Sequence, residues 1–335
     1  MCLLQKDGFI IMIKKAIVVC LMTFFMVGLL FNFTSKSSAA KPEPAPAVAY
    51  TAPITLYWLA KAGVPEAVEY VKYIDAEKIV KSEHISQYER VEKVNKIYQE
   101  IRYSSLNDFI ESEHYTNVMD LGCGVSPRCL YMANKGINYV GTDLKEVVDI
   151  LNIYAPNFLN EDVRKYVNFF VADAASHSDM MKAASGFNGK ICIVEEGLWM
   201  YLSHDKQKVM LKSIRDILKK NGGCFVTSDF VAGKIFMSIN RTIYGEKNAV
   251  IIGKETQKLY EDVSEILFND TMFKTTEEAV KFIEDAGLKV EMRPIFMNKP
   301  DIRSIRDLTD RDIEAINAMT QQQKLLWVIT VDDSK

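Results

Sequence analysis

The stretch Asp120-Leu121-Gly122-Cys123-Gly124 decides the fold, because two glycines there follow a short apolar run that begins at Asn117. A run of this length bounded by glycines is typical of a buried β-strand. Glycine has no Cβ, so the backbone can turn sharply and approach a ligand closely. The stretch therefore predicts a strand, a tight turn, and a helix whose first N–H groups point at the turn.

Acidic residues end the next two predicted strands as well. Asp143 and Asp173 each follow a short apolar run, as Asp120 does. The carboxyl ends of parallel strands meet at one edge of a sheet, so these carboxylates are expected around one site. Asp143 lies 21 residues after Gly122, a spacing at which a carboxylate accepts hydrogen bonds from ribose hydroxyls. The pattern favours a nucleoside site over the alternative that Gly-x-Gly forms only a turn.

Strand-like runs and helical stretches alternate through most of the chain. Such alternation indicates a mostly parallel sheet with helices on both faces. We predict an α/β fold of the Rossmann-like, doubly wound type with a seven-stranded sheet. The predicted strands lie at residues 117–121, 139–141, 167–171, 191–194, 224–227, 289–292 and 325–331.

Two segments lie outside this alternation. Residues 54–112 have apolar residues at helical spacing and are predicted as a helical N-terminal extension. Residues 231–275 separate the fifth strand from a helix that Thr275 and Glu278 begin in the style of a capping box. That separation is too long for a simple connection, so we predict a lid insertion after the fifth strand.

Two nucleoside ligands suit the glycine turn. A dinucleotide site requires Gly-x-Gly-x-x-Gly, and Pro127 occupies the third glycine position here. An acidic residue before Gly-x-Gly, such as Asp120, suits a ligand with an amino-acid end and no phosphate, which is S-adenosylmethionine. A nicotinamide-dependent dehydrogenase is the less favoured alternative.

Two motifs resemble those of a known family. At these residues the chain resembles the class I S-adenosylmethionine-dependent methyltransferases, in particular the leucine carboxyl methyltransferase and polyketide O-methyltransferase group. The stretch Gly122-Cys-Gly-Val-Ser-Pro-Arg128 is similar to that group's Gly-x-Gly-x-(Asp/Ser)-x-Arg signature, and Glu196-Gly-Leu-Trp-Met-Tyr-Leu202 to its Glu-Gly-Leu-x-x-Tyr-Leu signature. The resemblance covers roughly residues 85–333. Ser126 and Pro127 replace the Asp-Thr pair that is frequent in the group, so the resemblance does not extend to the identity of the substrate.

The resemblance implies a role toward S-adenosylmethionine for each matching position. Asp120, Gly122 and Gly124 are expected to line the methionine end of the cofactor. Asp143 is expected to hold the ribose hydroxyls. Glu196 is expected to face the sulfonium side of the pocket.

Four further positions complete the cofactor site that the resemblance implies. Asp173 is expected to meet the adenine amino group, with Ala174 supplying backbone. Arg102 is a candidate partner for the cofactor carboxylate through a charged pair, and the alternative is a charge on a helix surface. Arg128 belongs to the glycine signature, and the alternative for it is a structural ion pair.

Methyl transfer asks for few catalytic groups. The sulfonium is already an activated electrophile, so catalysis is mainly alignment and desolvation. A carboxylate acceptor needs no base, whereas a hydroxyl acceptor needs one, and Tyr201 and His204 are the nearest candidates in the sequence. Packing is the alternative role for Tyr201, and a solvated first turn of a helix is the alternative for His204.

The N-terminal segment has the pattern of a targeting segment. Residues 16–31 form an uncharged apolar run that follows Lys14 and Lys15 and precedes small residues at 37–40. We predict a signal peptide or membrane anchor at 1–40, a Pro/Ala-rich tether at 41–53, and a methyltransferase-like domain at 54–335. The lysines predict an exported or membrane-anchored domain. Because S-adenosylmethionine is made in the cytoplasm, the domain could also face the cytoplasm, and the side of the membrane is left open.

Composition limits the partners. The formal net charge of −3 argues against a nucleic-acid partner, and the histidines and cysteines show no ligand spacing, so no metal site is predicted. We expect a small-molecule or carboxylate substrate, with membrane contact only through the N-terminal segment and the oligomeric state left open. The alternative is an exported, non-catalytic Rossmann-like protein that binds a nucleoside or a partner, because S-adenosylmethionine is made in the cytoplasm.

Overall fold

The computed structural model describes residues 52–74, 89–264, 271–295, 302–332 and 334. The predicted leader, almost all of the predicted tether, and residues 265–270 of the predicted insertion lie outside the described residues. No helix in the described part of the chain is long and apolar enough to cross a membrane.

Seven strands form one sheet in the order β3-β2-β1-β4-β5-β7-β6. Strands β1 to β5 pair in parallel, and β7 runs antiparallel to both of its neighbours. The predicted Rossmann-like, doubly wound and mostly parallel seven-stranded fold is confirmed. The strands are β1 Asn117–Leu121, β2 Asn138–Asp143, β3 Val167–Val171, β4 Ile191–Glu195, β5 Gly223–Thr227, β6 Leu288–Arg293 and β7 Leu326–Val331.

Helices cover the sheet and extend beyond it. The described α-helices are α1 Ala52–Ala62, α2 Pro65–Tyr70, α3 Glu89–Ser112, α4 Arg128–Asn134, α5 Lys145–Phe158, α6 Glu161–Arg164, α7 His177–Ala183, α8 His204–Asn221, α9 Ala232–Ser264, α10 Thr276–Asp285 and α11 Asp310–Gln323.

The local sequence explains the central strands and their connections. Every residue of β1 and β4 is buried, as expected of parallel strands covered on both faces. Helix α8 buries Met210, Ile214 and Ile217 along one face and ends where Gly222 adopts a φ of 71°. Thr275 caps α10 by accepting a hydrogen bond from the Glu278 amide, as predicted. Because β1 to β5 pair in parallel, their carboxyl ends lie along one edge of the sheet.

The structure corrects the sequence predictions at two boundaries. Helix α1 begins at Ala52, so Ala52 and Pro53 are helical although they were assigned to the tether. Most of the segment predicted as a lid, residues 231–275, folds as the single long helix α9, which is kinked at Gly245. Helix α11, between β6 and β7, was not predicted at all.

Candidate functional site

A cavity of about 990 Å³ opens at the carboxyl ends of the central strands. Strand β1 lies between β2 and β4, so the chain leaves β1 toward one side of the sheet and later returns to its other side. Ligands of open α/β sheets bind in the crevice at this switch point. The cavity is lined by the turns after β1 to β4, by α1 and α3, and by α9.

The glycine turn after β1 has the backbone that the sequence predicted. Gly122 and Gly124 have φ values of 58° and 53°, in the left-handed region that favours glycine. A Cβ on Gly122 would lie 3.0 Å from the Leu198 side chain, and one on Gly124 would lie 3.0 Å from Cβ of Ala52. Both positions therefore require glycine for backbone conformation and for space, and both line the cavity.

Arg128 is the centre of a buried polar cluster behind the turn. Its guanidinium donates to Asp120 Oδ2 at 3.0 Å, to Glu196 Oε2 at 2.5 Å and to Asn107 Oδ1 at 2.9 Å. Asp120 Oδ2 also accepts a hydrogen bond from the Tyr139 hydroxyl at 2.9 Å. The alternative foreseen for Arg128, a structural ion pair, is thus present, although the side chain also lines the cavity.

The charges in this cluster do not balance. Asp120 and Glu196 are two carboxylates that share the single guanidinium of Arg128. Burial raises the pKa of Asp120, and the neighbouring Arg128 opposes this rise. Glu196 Oε1 is buried without a hydrogen-bond partner among the described residues. One carboxylate oxygen at the cavity wall is therefore left for a positively charged or hydrogen-donating group.

Asp143 lies at the end of β2 and also lines the cavity. Its Oδ2 accepts a hydrogen bond from the Gly124 amide and its Oδ1 from the Leu144 amide, both at 2.7 Å. Burial raises the pKa of this carboxyl to about 6, against the two amide hydrogen bonds, which lower it. Each oxygen keeps a further lone pair for a ligand hydroxyl.

Asp173 and Ala174 follow β3 at the far side of the same cavity. Asp173 is exposed, and its Oδ1 accepts a hydrogen bond from the Ala175 amide at 2.8 Å, while Ala174 is buried. The structure thus brings all nine positions predicted to bind the cofactor into the lining of one cavity.

Arg102 is not the helix-surface charge that the sequence allowed as an alternative. It is buried, forms an ion pair with Asp229, and donates from Nε to Ser228 Oγ at 3.3 Å. It also lines the cavity, so it joins α3 to the segment after β5. Its predicted role toward a cofactor carboxylate stays a prediction.

Two buried carboxyl groups that sequence reasoning missed shape the loop after β4. Glu195 Oε1 accepts hydrogen bonds from the amides of Leu198 and Trp199, at 2.7 and 2.9 Å. Asp229 Oδ2 accepts one from the Gly197 amide at 2.8 Å. Burial and the neighbouring Asp229 carboxylate raise the pKa of Glu195 well above its ordinary value. Asp229 follows β5 as Asp143 follows β2, so the same sequence signal would have found it.

The two candidate bases lie in different places. Tyr201 ends a 3₁₀ turn after β4 and lines the cavity. His204 is not among the lining residues, so the structure does not bring it to this site. Its Nδ1 lies 2.8 Å from Gln207 Oε1 and its ring stacks on Phe273. The first turn of α8 directs the imidazole to these partners, and the role of His204 as a base stays a prediction.

No group of three or more His, Cys, Asp or Glu side chains within the described ranges could hold a metal ion. The topology and the cavity together define a Rossmann-like α/β protein with a candidate ligand site at the switch point of the sheet.

No protein-family model matches the chain, and no curated protein matches it. Among solved structures, the methyltransferase domain of bacterial CtHen1-C is similar to it with a TM-score of 0.42 and 14% identity, over 70% of this chain and 98% of that one. Magnesium protoporphyrin IX methyltransferase (ChlM) from Synechocystis PCC 6803, with bound SAH, has a TM-score of 0.38 and 13% identity, over 60% of this chain and 78% of that one.

The glycopeptide N-methyltransferase MtfA, complexed with S-adenosyl-L-methionine, has a TM-score of 0.29 and 16% identity, over 36% of this chain. The chain spans about half the length of MtfA, 48% of it.

Proposed function

We propose that this protein is an S-adenosylmethionine-dependent methyltransferase that methylates an oxygen atom of a small-molecule or carboxylate substrate. The observation that carries the proposal is the buried, unpartnered Oε1 of Glu196 at the wall of the switch-point cavity, where Asp120 and Glu196 share the one guanidinium of Arg128. An amino-acid end with a protonated amine, next to a sulfonium, would supply the missing positive charge.

The residues present fit this cofactor. Asp120 and Glu196 exceed the charge of Arg128 by one unit at the end of the cavity where the resemblance expects methionine. Asp143 has acceptor lone pairs for ribose hydroxyls, and Gly122 and Gly124 line the same cavity. These features come from three different segments of the chain and converge on one cavity.

A dinucleotide fits less well, because the turn offers few amides to a pyrophosphate. The Cys123 amide donates to the Thr142 carbonyl, the Gly124 amide to Asp143, and the Ser126 amide to the Cys123 carbonyl. Pro127 has no N–H to donate. A pyrophosphate would also lie beside carboxylates without added positive charge, which is electrostatically unfavourable.

In this proposal the side chains of the cavity bind the cofactor, orient it toward the methyl acceptor and exclude water from both. S-Adenosylmethionine, when bound, supplies a methyl group on a positively charged sulfur. Asp143 and Asp173, which line the cavity, would orient its nucleoside, and Leu198 and Met200 are apolar residues that would exclude water beside it. A carboxylate acceptor has no proton to lose. A hydroxyl acceptor must lose one from its oxygen, and Tyr201 is the candidate base that lines the cavity.

Calorimetric titration of the full chain with S-adenosylmethionine tests the proposal. Asp143→Ala removes the carboxylate expected to bind the ribose, and we expect the affinity to fall at least about tenfold, which corresponds to roughly 1.4 kcal/mol. Asp149→Ala is the matched control, because Asp149 is an exposed carboxylate on α5 that pairs only with Lys145 among the described residues. It should leave the affinity unchanged.

Transfer is tested separately with methyl-labelled S-adenosylmethionine and small-molecule extracts, followed by mass spectrometry. A product heavier by one methylene unit supports the proposal. Tight cofactor binding without any methylated product contradicts transfer and supports the non-catalytic alternative. Absence of cofactor binding, or binding that Asp143→Ala does not weaken, contradicts the cofactor site itself.

A further inference from the structure

The acidic and the basic side chains that line the switch-point cavity come from different elements. The four acidic lining residues, Asp120, Asp143, Asp173 and Glu196, all come from the carboxyl ends of β1 to β4. The lysines come from a second group of lining elements, α8, α9 and the turn before α10, which together we call the lysine wall. They are Lys206, Lys234, Lys254 and Lys274. No acidic residue of that wall is among the described residues that line the cavity.

Three of these lysines make no stabilising polar contact through their side chains among the described residues. Lys234 donates a hydrogen bond to Thr276 Oγ1 at 2.7 Å, but no ion pair or side-chain hydrogen bond is formed by Lys206, Lys254 or Lys274 among the described residues. All three are exposed. The arginines of the cavity differ, because acidic side chains already neutralise them.

Two of the three lysines also lie where the fold does not favour them. Lys206 is in the first turn of α8, and Lys274 precedes Thr275, the N-cap of α10. The positive end of a helix dipole disfavours a cation by a few tenths of a kcal/mol or more, up to about 1 kcal/mol. Residues placed against local stability and toward a cavity indicate function.

The lysine wall also carries apolar residues. Phe236, Met237, Met272 and Phe273 line it, and Val250 lines it while remaining 40% exposed. A large exposed aliphatic side chain at a cavity mouth offers contact to an apolar ligand body.

One buried polar group interrupts the apolar surface. The side chain of Thr256 is on α9, 7% exposed, and its hydroxyl has no hydrogen-bond partner among the described residues. It lines the same cavity and can donate to an anionic oxygen.

We propose that the methyl acceptor is an amphipathic anion. Its negative group is held by Lys206, Lys254 and Lys274, and its apolar body lies along Phe236 and Val250. This inference rests on the proposed function, since it names the substrate class of the same cavity. The carboxylates that follow β1 to β4 repel an anion, so the anionic group is an anchor held by the lysines, and the oxygen that accepts the methyl group is another part of the molecule.

Decanoate, kept below its micelle concentration, is the probe, with decanol and decyltrimethylammonium as its neutral and cationic counterparts. We expect calorimetry on the full chain to show binding of decanoate and at least tenfold weaker binding of both counterparts, about 1.4 kcal/mol. The affinity for decanoate should fall as salt is raised, because exposed charges are screened.

The triple variant Lys206→Gln, Lys254→Gln, Lys274→Gln should weaken decanoate at least about tenfold and leave the affinity for S-adenosylhomocysteine unchanged. Its matched control is Lys212→Gln, Lys219→Gln, Lys220→Gln, which removes the same charge from exposed positions of α8 outside the cavity. Equal binding of all three probes, or equal decanoate affinity in both triple variants, overturns the inference. Lysine-dependent decanoate binding in a chain that binds no S-adenosylhomocysteine would overturn the proposed function and keep the anion site.

Discussion

Asp143 shows how one carboxylate serves both the turn and the site. Its two oxygens accept hydrogen bonds from the Gly124 and Leu144 amides, and the bond from Gly124 holds the glycine turn against the end of β2. The same burial that makes these hydrogen bonds effective raises the pKa of the carboxyl to about 6. Because its folded-state pKa is above the ordinary value, the folded apo protein retains this proton more strongly than the unfolded chain does, and this contribution to stability is lost as pH rises through about 6.

A pH dependence of cofactor binding follows at this residue. Ribose hydroxyls donate to the ionised carboxylate, and at pH 5 a group with a pKa of about 6 is roughly nine-tenths protonated. The affinity for S-adenosylhomocysteine should therefore fall about tenfold between pH 7 and pH 5. Asp143→Asn should bind more weakly at pH 7 and lose this dependence, as measured by calorimetry across the range. A wild-type affinity that stays flat, or a variant that keeps the same slope, would contradict the role of this carboxylate.

Single residues show where sequence reasoning ends. Asp143 and Asp173 could be found because an acidic residue after a strand is visible in the sequence. The hydrogen bonds of Arg128 reach Asn107, Asp120 and Glu196, which are 21, 8 and 68 residues away along the chain. Pairing over such separations depends on the sheet order, so the sequence could predict that Arg128 matters but not whether it faces ligand or acid.

Among the elements, the strands were the easiest to predict. Parallel strands buried on both faces read as continuous apolar runs, and all seven predicted strands are present. Helix α11 was missed because it buries only Ile313, Ile316 and Thr320 along 14 residues, so its apolar periodicity is weak. Helix α9 was predicted only as an insertion, because Gly245 interrupts its periodicity near the middle.

The kink of α9 predicts that Gly245 is required there for stability. Gly245 has φ 75° and ψ 164°, a region open almost only to glycine, and a Cβ there would meet no atom within 4 Å. Gly245→Ala should therefore destabilise the fold by about 1–3 kcal/mol through backbone strain alone. Gly233→Ala is the matched control, since its Cβ also meets nothing and its φ is not positive, so stability should be unchanged or slightly higher. Urea unfolding measures both, and equal midpoints would contradict a strained kink.

At the scale of the whole molecule, the fold brings acidic and basic residues from different elements into the lining of one cavity. The carboxylates follow β1 to β4 because parallel strands share an edge, and the lysines arrive on α8, on α9 and before α10, which the sequence could not place against them. The predicted signal peptide or membrane anchor at residues 1–40 precedes all the residues of this cavity in the chain and lies outside the described residues. Export stays a prediction, and a topology reporter fused after Lys335 would decide it.

Ligand binding at the switch point couples to the stability of the whole chain. A ligand that binds only the folded state at 100 times its dissociation constant stabilises it by about 2.7 kcal/mol. For a chain larger than 250 residues this corresponds to a rise in Tm of roughly 5 °C. Thermal unfolding of the full chain should show this rise with S-adenosylhomocysteine, and Asp143→Ala should abolish it. NAD should give no shift, because the Cys123, Gly124 and Ser126 amides of the glycine turn are already bonded within the protein. A rise with NAD and none with S-adenosylhomocysteine would instead support the dehydrogenase alternative.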